Sequence, residues 1–189
     1  MNQIIEVIKS RRSIRKYQPQ QIKDEELSLI LEAAKYAPSG HNAQPWHFTV
    51  IQNKEVIDRI SAVTKELMLK SKTEWIVKMG QNEKYHLFHN APTVIIVSGE
   101  APTTKDLSYS PLADCSAAIQ NILLTAQSIG IASCWIGLTS FYFNSQEEVA
   151  KLNIPENYKP QFAVILGYSA INKEIKPLDR RENVVNFIK

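Results

Sequence analysis

The chain has 189 residues, 44% of them hydrophobic, and 22 basic residues against 19 acidic ones leave a formal net charge of +3. That length fits one domain around a single core, and the near balance of charge argues against a nucleic-acid binder, which shows a basic face. The opening MNQIIEVIKSRRSIRKY lacks the apolar core of a secretion signal, and the longest apolar runs, such as FAVILGY, are too short to span a bilayer. Cys115 and Cys134 form no CxxC pair and no disulfide framework. A reduced, cytoplasmic protein that enters no membrane is expected.

In chain order, residues 2–11 place Ile4, Ile5, Val7 and Ile8 on one helical face. SIRKYQPQQ (13–21) reads as extended, with Pro19 fixing the backbone. A helix begins near Asp24, where Asp24, Glu25 and Glu26 suit the positive end of the helix dipole. Leu27, Ile30, Leu31 and Ala34 form its stripe, and Pro38 and Gly40 end it. WHFTVIQ (46–52) is a strand, and an amphipathic helix runs from Glu55 to about Lys72. Residues 73–91 lack clean periodicity and read as a loop or a mobile helix. TVIIVS (93–98) is a continuous apolar strand, hence buried on both faces, and a polar loop follows over 100–110.

Pro111 to Ser128 reads as a helix apolar on much of its circumference, through Leu112, Ala113, Ala117, Ala118, Ile122, Leu123 and Ala126, and therefore central. GIASCWIG turns into a strand, EEVAKL is a short helix, and PQFAVILGY (160–168) is the last strong strand. From Ser169 the chain is polar until Val184, Val185, Phe187 and Ile188. Such an arm docks on its own sheet or adds a strand to a partner's. The pattern is one mixed α and β domain over residues 1–189, with five helices and about four strands.

Two stretches are rich in chemistry. Arg11, Arg12 and Arg15 with Ser13 could clamp a phosphate, because Arg binds it bidentately and Ser adds a donor. From composition alone the plainer reading is a solvated helix end that counters the dipole. APSGHNAQPW (37–46) is over-long for a plain turn and crowds hydrogen-bonding groups against an indole. Walker A, GxGxxG and GxSxG patterns are absent, and both cysteines sit in apolar surroundings. His86 and His89 are three residues apart with no ligand pattern beside them, so no metal site is expected. An enzyme of this composition would take its hard chemistry from a cofactor.

RRSIRKY, APSGHNAQPWHF, NILLTAQSIGIASCWIG and ILGY, in this order and at this spacing, resemble the FMN-dependent nitroreductase family over nearly the whole chain. The resemblance implies an α+β fold with a central mixed, mostly antiparallel sheet flanked by helices. It also implies an obligate homodimer with FMN at the interface and a C-terminal arm extending to the partner. Arg11 and Ser13 match positions that hold the FMN phosphate, and Arg15 matches a basic position near the pyrimidine edge of the ring; Arg12 falls in the same motif. Pro38, Ser39 and Asn42 match residues that reach the flavin from the other subunit, and Gln44 supports their loop. Ile136 and Gly137 fall where backbone amides meet the N5 and O4 edge. Arg180 or Arg181 resembles the basic residue of the tail that completes the phosphate site.

His41 would face the space above the ring and could touch substrate. Trp75, Tyr85, Phe88 and His89 either roof that space or pack a helical lid. The implied chemistry is ping-pong: NADH or NADPH reduces the flavin and leaves, and an electron-poor small molecule such as a nitroaromatic or quinone then takes its place. The same motifs would also suit a flavin-destructase, a dehalogenase-like enzyme or a non-enzymatic flavin-binding regulator.

Overall fold

The two most continuously apolar strands occupy the middle of the sheet, where both of their faces are covered. The computed structural model describes residues 2–100, 110–173 and 175–189. Its helices are α1 (Gln3–Ser10), α2 (Asp24–Lys35), α3 (Lys54–Met68), α4 (Glu74–Gln81), α5 (Pro111–Ser128), α6 (Ser140–Phe143) and α7 (Gln146–Ala150). Its strands are β1 (Trp46–Ile51), β2 (Thr93–Glu100), β3 (Ala132–Ile136) and β4 (Tyr158–Gly167), in the order β1-β2-β4-β3. All three strand pairs are antiparallel. The four-stranded sheet is thus antiparallel throughout rather than mixed, and outside its strands Ser13 makes an isolated parallel bridge to Ser133 and Tyr17 an antiparallel one to Ser169.

Alternation along the strands sends Ile95, Val97, Val164 and Leu166 to one face, against α2 and α5. Val94, Ile96, Ala163 and Ile165 go to the other, under α3 and the Leu87–Phe88 turn. The helix starts are set locally. The Asn53 side chain accepts from Val56 N, and Ser110 caps α5 with Pro111 in its first turn. Asn121 of α5 donates to the Ala33 carbonyl at 3.0 Å, in the last turn of α2, where Tyr36 N also bonds it at 3.2 Å.

The structure departs from the sequence-based expectation in four further places. Residues 73–91 contain a regular helix, α4, followed by turns. α4 meets α3 through Gly80, where an added Cβ would lie 2.8 Å from the Lys65 carbonyl. There are seven α-helices among the described residues rather than five, because α4 and the four-residue α6 are additional. β2 runs to Glu100, and the rest of the expected polar loop, 101–109, lies outside the described residues. The apolar tail forms no strand within 175–189 and does not dock on its own sheet, since Val184, Val185, Phe187 and Ile188 are exposed. The α1 stripe is equally uncovered, with Ile4 67% and Ile8 45% exposed.

Candidate functional site

The basic segment is strapped to one end of the sheet by its backbone. Arg11 N closes α1 on the Val7 carbonyl at 3.0 Å, and Ile14 N then donates to the Ser133 carbonyl at 3.0 Å. Gln18 N donates to the Tyr168 carbonyl at 2.9 Å, and Ala170 N to the Lys16 carbonyl at 3.0 Å. Gly167 makes room for this crossing: a Cβ there would lie 2.9 Å from the Tyr17 ring and 2.8 Å from Pro92.

Within the segment the arginines divide. Arg12 donates to the Lys9, Arg11 and Ile175 carbonyls, so its guanidinium caps α1 and ties down the root of the tail. Ser13, Arg15 and Tyr17 share a side of the extended backbone. Burial raises the pKa of Tyr17, Tyr85 and Cys134 and lowers that of His89; the Arg15 charge opposes the first three shifts and adds to the last, so its field reaches all four groups. Cys134 also hydrogen-bonds Ser13, but burial dominates and pushes its thiol up. Burial pushes Cys115 up as well, to about 12, so both cysteines are protonated and free.

Of the four candidate roof residues, Phe88 is wholly buried and belongs to the core, while Trp75 on α4 is 56% exposed. Tyr85 and His89 are half-buried, with ring centroids 6.0 Å apart and edge to face, and they meet the field of Arg15. Their turn is held by His86, whose Nδ1 accepts from Phe88 N at 3.2 Å and Asn90 N at 3.3 Å. Its Nε2 lies 3.3 Å from Asp58 Oδ1. Burial keeps the His86 imidazole below its usual pKa despite Asp58.

The 37–46 loop is built differently. Ser39 is extended, and a single 3-10 turn follows over Gly40–Asn42. His41, Asn42 and Gln44 all take left-handed backbone conformations, at φ 53°, 56° and 49°. Side chains brace the loop: Gln44 N donates to Ser39 Oγ at 3.0 Å, and Gln44 Nε2 to Asn42 Oδ1 at 3.2 Å. Gly40 N donates to Asp114 Oδ1 on α5 at 3.3 Å, and the Pro45 carbonyl accepts from Glu100 N at 2.7 Å. Trp46, 8% exposed, anchors the exit in the core, while Pro38, Asn42 and Gln44 face outward.

The two halves sit at opposite ends of one helix. The loop meets α5 at Asp114, whereas Ser10, next to the basic segment, meets it at Gln127. These positions are separated by about 20 Å of helix at 1.5 Å per residue. Ile136 is buried and Gly137 exposed at the far end of β3, where an added Cβ at Gly137 would meet nothing within 4 Å. Arg180 and Arg181 are exposed, and Arg180 donates to the nearby Leu178 carbonyl. Asp114 and Cys134 were not legible from the sequence, because each depends on a contact between distant segments, and His86 was missed because its Nδ1 acts on the backbone of its own turn, which no residue pattern announces.

The Nitroreductase family profile matches residues 8–168, and the chain belongs to that family. A protein of Archaeoglobus fulgidus named as a candidate NADH dehydrogenase/NAD(P)H nitroreductase is 34% identical over 183 residues, covering 97% of this chain and 95% of that one. Two crystal structures are similar over their full length and that of this chain. A nitroreductase of Bacteroides fragilis with bound FMN is 35% identical with a TM-score of 0.89. One from Desulfitobacterium hafniense, also with bound FMN, is 30% identical with a TM-score of 0.87.

The residues here suit such a cofactor. Arg11 and Ser13 offer a cation and a hydroxyl, Arg15 a second cation, and the open backbone at Gly137 leaves space for a ring. No helix of the described residues is long and apolar enough to cross a membrane.

Proposed function

We propose that the protein is an FMN-dependent oxidoreductase that takes electrons from NADH or NADPH and passes them to flat, electron-poor acceptors such as nitroaromatics or quinones, by a ping-pong route, as a homodimer. The observation that carries this reading is the separation of the two half-sites along α5. A loop rich in amides and a cationic segment, each matching a flavin-binding motif, stand at opposite ends of α5 in one chain. Two chains side by side would bring them together. The uncovered faces of α1 and of the tail, Ile4, Ile5 and Ile8 with Val184, Val185, Phe187 and Ile188, support a second copy as their cover.

Bound FMN supplies the acceptance and return of a hydride. The chain's own residues bind and orient. Arg11 and Ser13 hold the phosphate, joined by Arg180 or Arg181 from the tail, and the Ile136–Gly137 backbone meets the ring edge. Arg15 places positive charge at the pyrimidine side, where it favours an anionic ring in a partly dry site. Pro38, Ser39 and Asn42 of the partner subunit close the ring from the other side, with His41 at the acceptor's place and Gln44 bracing the loop. Arg12 serves through the tail it ties down.

The test is a spectrum of the purified protein. A flavin band near ~450 nm that bleaches with NADH or NADPH under anaerobic conditions, and returns on adding a quinone, is the expected result. A colourless protein that takes up no added FMN overturns the reading.

A further inference from the structure

Asp114 is an acid where the fold does not need one. A carboxylate in the first turn of a helix ordinarily faces water and stabilises the dipole. Asp114 is instead 8% exposed and lies beneath the 37–46 loop. Oδ1 accepts from Gly40 N at 3.3 Å, while Oδ2 is buried without a hydrogen-bond partner among the described residues. Buried acceptors are seldom left so, because an unpaired one carries its full desolvation cost.

The helix beneath the carboxylate is itself fixed. Ser110 caps it, and the first turn rests on Gly99, where a Cβ would meet Pro111 at 2.8 Å and Cys115 at 3.2 Å. The loop above holds three non-glycine residues in left-handed conformations. Such residues stay there only when their surroundings over-determine them.

We infer that Asp114 is the positioning residue of this loop. Through Gly40 it holds the turn in which Ser39 and Asn42 are presented to the flavin of the partner subunit. The inference rests on the cross-subunit site proposed above. It assigns to an internal residue of one chain an effect on the cofactor bound by the other.

The experiment measures FMN dissociation constants by flavin fluorescence, with apoprotein melting temperatures alongside. Asp114→Ala is expected to weaken FMN about tenfold. Asp114→Asn keeps an acceptor oxygen for Gly40 and is expected to stay near wild type. Gly40→Pro removes the donor from the loop side. Ser39 is already extended at φ −143°, ψ 153°, which suits a following proline, so this variant tests the same bond if Asp114→Ala does not fold. The double variant should lose no more than either single one, since both break one interaction.

In heterodimers of Asp114→Ala with Arg11→Ala chains, one of the two sites should bind FMN normally. Equal FMN affinity in all Asp114 and Gly40 variants, additive losses in the double variant, or heterodimers with no recovered site would each overturn the inference. A wild-type protein that binds no FMN would instead overturn the proposed function itself.

Discussion

The two ends of α5 present functional residues by opposite means. At its C-terminal end the basic segment is extended and held by main-chain bonds to Ser133, Tyr168 and Ala170, so its side chains project from what is in effect an added strand. At its N-terminal end the 37–46 loop forms no strand within 37–45; past Ala37 its main-chain bonds are those of its own turn and the one from Glu100 N to Pro45, and the side chains of Ser39, Gln44 and Asp114 brace it around left-handed residues. Backbone pairing tolerates many side chains, whereas side-chain bracing does not. Single substitutions should therefore act locally in the first half and collectively in the second.

The largest effect expected from this contrast is complementation. Arg11→Ala and Asn42→Ala homodimers should both lose flavin, while heterodimers of the two keep about half of their sites. Flavin content per purified heterodimer measures this, and no recovery would place both residues in one chain's site. Next in size, Arg11→Ala alone should weaken FMN by about 1.5–3 kcal/mol through the lost charge-assisted bonds, read from a fluorescence titration. Gly167→Ala attacks the seat rather than the site. The added Cβ would collide with Tyr17 and Pro92, for a loss of about 1–3 kcal/mol in a urea melt.

The smallest effect is a pH dependence. Burial holds the His86 and His89 imidazoles below their usual 6.5. The unfolded chain thus takes up protons that the folded chain resists. Stability is complete above about pH 6.5 and is lost as pH falls toward the folded pKa values. Asp58 opposes the His86 shift, while Lys54 and Lys65 reinforce it; Arg15 reinforces that of His89. Thermal melts should fall between about pH 7 and pH 5.5. His86→Gln should flatten that slope, at the expense of order in the Phe88–Asn90 turn.

Much of this was legible in the sequence because it is periodic. The stripe of α5, the continuous apolar β2 and the stop at Pro38 and Gly40 all follow from spacing and turn chemistry. Other features were not, each for a physical reason. α4 hides because its eight residues span little more than two turns, and α6 because four residues show no period; its buried Tyr142 is fixed by the Glu148 carbonyl and carboxylate. RRSIR reads as a single cluster, and nothing in it announces that Arg12 donates to three backbone carbonyls, one of them in the tail. Tyr85 and Phe88 look alike as aromatics, but one half-faces Arg15 and the other fills the core. Asp114 looks like an ordinary first-turn acid until the fold lays Gly40 across it.

The bare apolar faces of α1 and of the tail have a consequence for handling the protein. In the proposed dimer, a cofactor gripped by two chains is only as secure as their pairing. Dilution would then strip colour from the enzyme without altering any bond inside a subunit. A stock that is yellow when concentrated would turn into a mixture of pale subunits and free flavin when thinned, and activity per milligram would rise with protein concentration.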